Sequence, residues 1–102
     1  MIINAGVLFP GDLTVISDKE VEDAIRCLNL QYFYCAKVVL SQLIKRFETK
    51  NLKSGLIFVN SYWSTQIGEA NIPYCASKNA TANLAQGLYY ELKGKGIDVL
   101  DY

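Results

Sequence analysis

A chain of 102 residues makes one small domain at most. Its composition, 51% apolar and 12% aromatic, excludes disorder and fibre. Ten basic side chains balance ten acidic ones and no block of like charge occurs, so nothing marks a nucleic-acid partner. There is no His, and Cys27, Cys35 and Cys75 match no zinc spacing, so no metal site is expected. Cys27 and Cys35 fall within one predicted helix, too far apart to bridge, and three free thiols point to a reducing compartment. No apolar run approaches the roughly 18 residues of a membrane span, and the N-terminus has no basic leader. These features together read as a soluble, untargeted chain.

In chain order, Met1 to Gly6 reads as the end of a short buried strand stopped by Gly6, and Val7 to Val15 as a loop broken by Pro10-Gly11. Ser17-Asp18-Lys19-Glu20 is a capping box. After it Val21, Ile25, Leu28, Tyr32, Ala36, Val39, Leu43 and Phe47 recur at helical spacing, which predicts one helix over 18–47. Glu48 to Ser54 is polar and ends it. Leu56-Ile57-Phe58-Val59 is an unbroken apolar run, the pattern of a parallel strand covered on both faces. Tyr62 to Ile72 is a loop. Pro73 suits the first turn of a second helix running to about Lys93, with Gly94 as its stop. Ile97 to Leu100 opens a third strand.

The order β-α-β-α-β predicts an α/β fold, part of an open, doubly wound parallel sheet of the Rossmann type. Right-handed crossovers then put both helices on one face. Nothing in these residues covers the other face of the middle strand, so the sequence reads as part of a larger domain.

Chemistry centres on Tyr74-Cys75-Ala76-Ser77-Lys78. Tyr and Lys at i and i+4 share a helix face. A free phenol with a pKa of about 10 is a poor acid–base catalyst, and a nearby ammonium favours its ionised form. The pair could then exchange a proton with an alcohol or ketone. Alone it is weak evidence: seven Tyr and eight Lys give about half such a pair by chance, and Tyr89 with Lys93 is a second. Position separates them. Ligands bind beyond the carboxyl ends of parallel strands, where Tyr74 opens a helix, whereas Tyr89 lies near that helix's far end. Ser61 closes the middle strand on the same rim, 13 residues before Tyr74, and its hydroxyl can donate to a carbonyl gaining negative charge. Asn29 interrupts an apolar helix face. Read singly, Asn29 is a buried amide, Gly6 a turn residue and Ser61 a loop cap.

Taken together, Asn4-Ala5-Gly6, Asn29 in a long helix, Ser61 and Tyr74-x-x-x-Lys78 resemble the short-chain dehydrogenase/reductase family. The resemblance covers the whole chain, which corresponds to a partial domain over residues 1–102, from the family's fourth strand to the start of its sixth. It implies an NAD(P)-dependent oxidoreductase that interconverts a ketone and a secondary alcohol. Tyr74 would be the acid or base. Lys78 would lower its pKa and bind the nicotinamide ribose. Ser61 would polarise the carbonyl, Asn29 would hold a relay water, and Asn4-Ala5-Gly6 would border the cofactor.

The family's glycine-rich TGxxxGxG turn does not occur here, and Ile3 stands where a second Asn is usual. These departures read as a catalytic segment without the N-terminal cofactor-binding half, an incomplete piece of a longer enzyme. Glu91 to Leu100 resembles the hydroxysteroid dehydrogenase and long-chain 3-oxoacyl-CoA reductase branch. That implies a lipidic small-molecule carbonyl or alcohol substrate, NADP in preference to NAD, and a cytoplasmic location, or for the parent an endoplasmic-reticulum membrane association. Family members also pair through these two helices, which implies a homo-oligomer. The alternative is a non-catalytic protein on the same scaffold that senses a nucleotide or pairs with full-length subunits.

Overall fold

The capping box forms as the sequence requires. In the computed structural model, which describes all 102 residues, the Ser17 hydroxyl accepts from the Glu20 N–H at 3.2 Å. The Glu20 carboxylate accepts from the Ser17 N–H at 2.8 Å. Two of the helix's otherwise unpaired donors are thereby satisfied, and α1 runs over Asp18–Ile25.

The single helix expected over 18–47 is interrupted. Arg26–Leu30 is a π turn, and α2 then continues over Gln31–Lys50, ending at Asn51 in the left-handed region (φ 54°). A π turn carries extra residue per turn and so rotates everything before it against everything after it. Leu28, Tyr32 and Ala36 keep the buried face that their spacing predicts. Ile25 does not. It is 42% exposed, and Ala24 takes the inward position instead.

Three strands form one parallel sheet: β1 (Ile2–Ile3), β2 (Ser54–Phe58) and β3 (Ile97–Asp101), ordered β1-β2-β3. Ile3 pairs with Phe58, and Phe58 with Asp101, so the three carboxyl ends lie level. Between β2 and β3 runs α3 (Ile72–Glu91), with Pro73 in its first turn. The turn into β3 carries Gly94 (φ 80°) and Gly96 (φ 72°), and the Phe47 ring of α2 lies where a Cβ on Gly96 would sit.

One apolar cluster joins Ile3, Leu56, Phe58 and Ile97 of the sheet to Tyr32 and Ala36 of α2 and Ala85, Leu88 and Leu92 at the end of α3. Both helices therefore cover the same face, as right-handed crossovers demand. The opposite face is open: Ile2 is 64% exposed and Leu100 51%. With one layer of helices on one side, the molecule measures 52 × 23 × 16 Å. Its radius of gyration is 15.4 Å, against about 13 Å for a compact domain of this length.

Candidate active site

The carboxyl ends of the strands make one rim. Asn4-Ala5-Gly6 leaves β1 there, Val59-Asn60-Ser61 leaves β2, and Asp101-Tyr102 closes β3. Asn60 ties two of these exits together: its N–H donates to the Tyr102 carbonyl at 2.8 Å, and its side-chain amide to the Asp101 carboxylate at 3.0 Å. The first turns of α3 bring Tyr74 and Lys78 to the same place.

Lys78 is buried, 3% exposed. Its ammonium donates to the Val59 carbonyl at 2.9 Å, just past the end of β2, and more weakly to the Tyr32 hydroxyl at 3.4 Å. It lies 5.3 Å from the centre of the Tyr32 ring and 5.9 Å from that of Tyr74, both within reach of cation–π attraction. Burial pushes the Lys78 pKa below the usual lysine value, while the Asp101 carboxylate and then Cys27 pull it back up. The i, i+4 spacing thus sets the cation beneath the phenol ring of Tyr74.

Ser61 caps the short 3₁₀ turn Tyr62–Ser64, its oxygen accepting from the Trp63 N–H at 3.3 Å. That contact uses a lone pair and leaves the hydroxyl proton free to donate. Asn79 of α3 anchors this turn by donating to the Ser64 carbonyl at 2.9 Å, so the segment after β2 is held against the helix that carries Tyr74. Asn29 falls inside the π turn. Its side-chain nitrogen is buried and has no partner, an arrangement that calls for a bridging water or ligand. Asn4, Ala5 and Gly6 are exposed on the rim. Tyr89, the competing tyrosine, stands at the far end of α3, 53% exposed and packed edge-to-face on Tyr90.

Tyr32, which spacing alone reads as packing, also belongs here, and Thr81 of α3 braces the π turn. Tyr32 is fully buried, and its hydroxyl lies 3.0 Å from the Ala5 carbonyl and 3.2 Å from that of Val59. Burial raises its pKa above the usual tyrosine value, with Cys27 and Tyr74 adding to the effect, so it stays a neutral phenol. Thr81, also fully buried, reaches the Leu28 carbonyl in the π turn at 3.1 Å. A stripe residue's hydroxyl has no signature in hydrophobic spacing; its partners lie 27 residues away in either direction.

The comparisons agree with this architecture. A model of the short chain dehydrogenase family matches residues 1–101. The rat 17-beta-hydroxysteroid dehydrogenase 13 is 29% identical over 97 residues, and its human counterpart 28% over 96. Each alignment takes in 94% of this chain but 30% of the relative. Among solved structures, a gluconate 5-dehydrogenase from Burkholderia cenocepacia, in complex with NADP and tartrate, superposes with a TM-score of 0.89 at 22% identity. It covers 98% of this chain and 37% of that one. A 3-ketoacyl-(acyl-carrier-protein) reductase from Brucella melitensis, complexed with NADH, gives 0.92 at 16% identity, over 98% and 41% of the respective chains. With its family model spanning nearly every residue, the chain belongs to the short chain dehydrogenase family.

Proposed function

We propose that these residues form the catalytic half of an NAD(P)-dependent oxidoreductase that interconverts a ketone and a secondary alcohol, as a partial domain of a longer enzyme. The observation that carries this reading is the Lys78 ammonium, held by the Val59 carbonyl at 2.9 Å and facing the Tyr74 ring at 5.9 Å. The cation and the phenol thus meet at the carboxyl ends of the strands, where a substrate oxygen would lie. Tyr74 then gives its proton to the nascent alkoxide in reduction and removes it in oxidation. Ser61, with a hydroxyl proton to spare, donates to the substrate oxygen as charge gathers there. The orphaned amide of Asn29 holds a water that returns protons towards Lys78.

The nicotinamide end of NADP or NAD fits this rim: Lys78 and Tyr74 would meet its ribose, and the exposed Asn4-Ala5-Gly6 turn would flank it. The dinucleotide supplies the hydride, which no side chain can. A glycine-rich turn for its phosphates is not among these residues, in keeping with a chain that spans 30% of its curated relatives. Similarity to hydroxysteroid dehydrogenases supports a lipidic ketone or alcohol as substrate, and the branch resemblance of Glu91 to Leu100 favours NADP over NAD. The groove of about 650 Å³ between α2 and α3, lined by Phe33, Leu40 and Leu84, supports pairing of two copies through these helices. No helix is long and apolar enough to cross a membrane.

The test is Tyr74→Phe in the intact protein, assayed with NADPH against steroid and long-chain 3-oxoacyl ketones. Activity should fall by about 100-fold or more, the scale of a lost general acid. A variant that reduces these ketones as fast as the wild type would overturn the assignment.

A further inference from the structure

We propose that Tyr32 is a positioning residue, whose buried hydroxyl and ring fix the Lys78 ammonium against the exit of β2 so that it faces Tyr74. The inference rests on the reading of Tyr74 and Lys78 as the proton-transfer pair and adds a third member from a different helix.

Packing alone does not account for this tyrosine. Its ring stacks on Phe58, with centroids 6.1 Å apart and planes at 28°, a contact that phenylalanine would make equally well. The hydroxyl is a different matter, because a buried one costs stability unless it is bonded. It has three neighbours: the Ala5 carbonyl at 3.0 Å, the Val59 carbonyl at 3.2 Å and the Lys78 ammonium at 3.4 Å. A phenol has one proton, so it donates to one carbonyl at a time and offers its lone pairs to the ammonium. Val59 accepts from both Tyr32 and Lys78. Phenol, carbonyl and ammonium therefore close a triangle.

The geometry fixes the cation on two sides. The Val59 carbonyl and the Tyr32 hydroxyl take two of its three N–H donors, while the Tyr32 ring stands 5.3 Å away. The third donor is left for the site. The other titratable groups felt at this ammonium and phenol are Asp101 of β3, Cys27 of the π turn and Tyr74 itself. None of these is hydrogen-bonded to Nζ, so Tyr32 is the side chain that sets its place. Its hydroxyl also joins the exits of β1 and β2 to α3 through Ala5, Val59 and Lys78, and so holds the two sides of the rim at a fixed spacing.

Tyr32→Phe in the intact protein removes the hydroxyl and keeps the ring. Two measurements decide the matter: the titration of Lys78, followed by NMR of carbon-13 labelled lysine, and kcat and KM for ketone reduction. Removing an acceptor from the charged form should lower the Lys78 pKa by about half a unit or more. Loosening the cation should cut kcat about tenfold and leave KM within about twofold, the signature of an interaction made in the transition state. Leu88→Ala, a cavity at the other end of α3, should lower the melting temperature without moving either quantity. Lys78 titrating alike in wild type and Tyr32→Phe overturns the proposal whatever the activity, and so does Leu88→Ala reproducing the kinetic change. The oxidoreductase reading fails separately, if wild type and Tyr74→Phe are equally inactive with NADPH, and the lysine titration still decides the role of Tyr32.

Discussion

Burying an ammonium is expensive, and a carbonyl and a phenol that meet Lys78 at the end of β2 offset part of that cost. Its pKa is lowered by burial. Below that folded value the lysine is protonated in both states and folding bears the full desolvation cost. Between it and the ordinary 10.5 the unfolded chain holds the proton and the folded one has released it. The unfolded state then binds more protons, so stability rises with pH across that window. Lys78→Met in the intact protein should abolish this rise, while at neutral pH its urea midpoint should equal or exceed that of the wild type. The Tyr32 hydroxyl could then give its single proton to Val59, leaving the carbonyl of exposed Ala5 to water. Activity should be lost in the same variant. A urea midpoint that falls sharply at neutral pH would show that the ammonium stabilises the fold. Lys78 and Tyr74 could be singled out from spacing and position because i, i+4 geometry is local. Tyr32 could not, since its partners come from two strand exits that only the folded sheet brings together.

The elements themselves were legible where a local signal exists. Capping at Ser17, Pro73 in the first turn of α3 and the unbroken apolar run of β2 each have a physical cause confined to a few residues. The π turn at Arg26–Leu30 has none, because one extra residue barely disturbs a pattern averaged over thirty positions; only the exchange of Ile25 for Ala24 on the buried face records it. Asn29 sits in this widened turn, and such turns recur at functional sites. The turn between α3 and β3 makes a sharper demand. Gly96 combines φ 72° with the Phe47 ring against its missing Cβ. Gly96→Ala should therefore destabilise the protein by more than about 1 kcal/mol, read as a lower urea midpoint with an unchanged slope. Gly55, where a Cβ meets nothing within 4 Å, serves as the control: Gly55→Ala should cost far less.

At the scale of the whole molecule, the sheet has one covered face and one open face. That asymmetry was readable from the sequence, because β2 is apolar on both sides and both crossovers run the same way. Its consequence for cofactor binding is direct. On the proposed function the 102-residue chain would meet only the nicotinamide end of the dinucleotide, and its sequence has no glycine-rich turn for the phosphates. Titrated with NADPH and followed by nicotinamide fluorescence, the isolated chain should bind weakly or not at all. Micromolar affinity would contradict the partial-domain reading. Substrate choice could not be read in the same way, since the aromatic residues Tyr62 and Trp63 beside the rim are exposed and specify no particular ligand.

The bond from Lys78 to Val59 ends on a main-chain oxygen, and every amino acid carries one. Replacing the valine side chain leaves that acceptor where it is, so point mutation there cannot unmoor the cation directly. At this contact only a shift in the path of the backbone can. This part of the anchor is thus written into the course of the chain, not into the identity of the residue that supplies it.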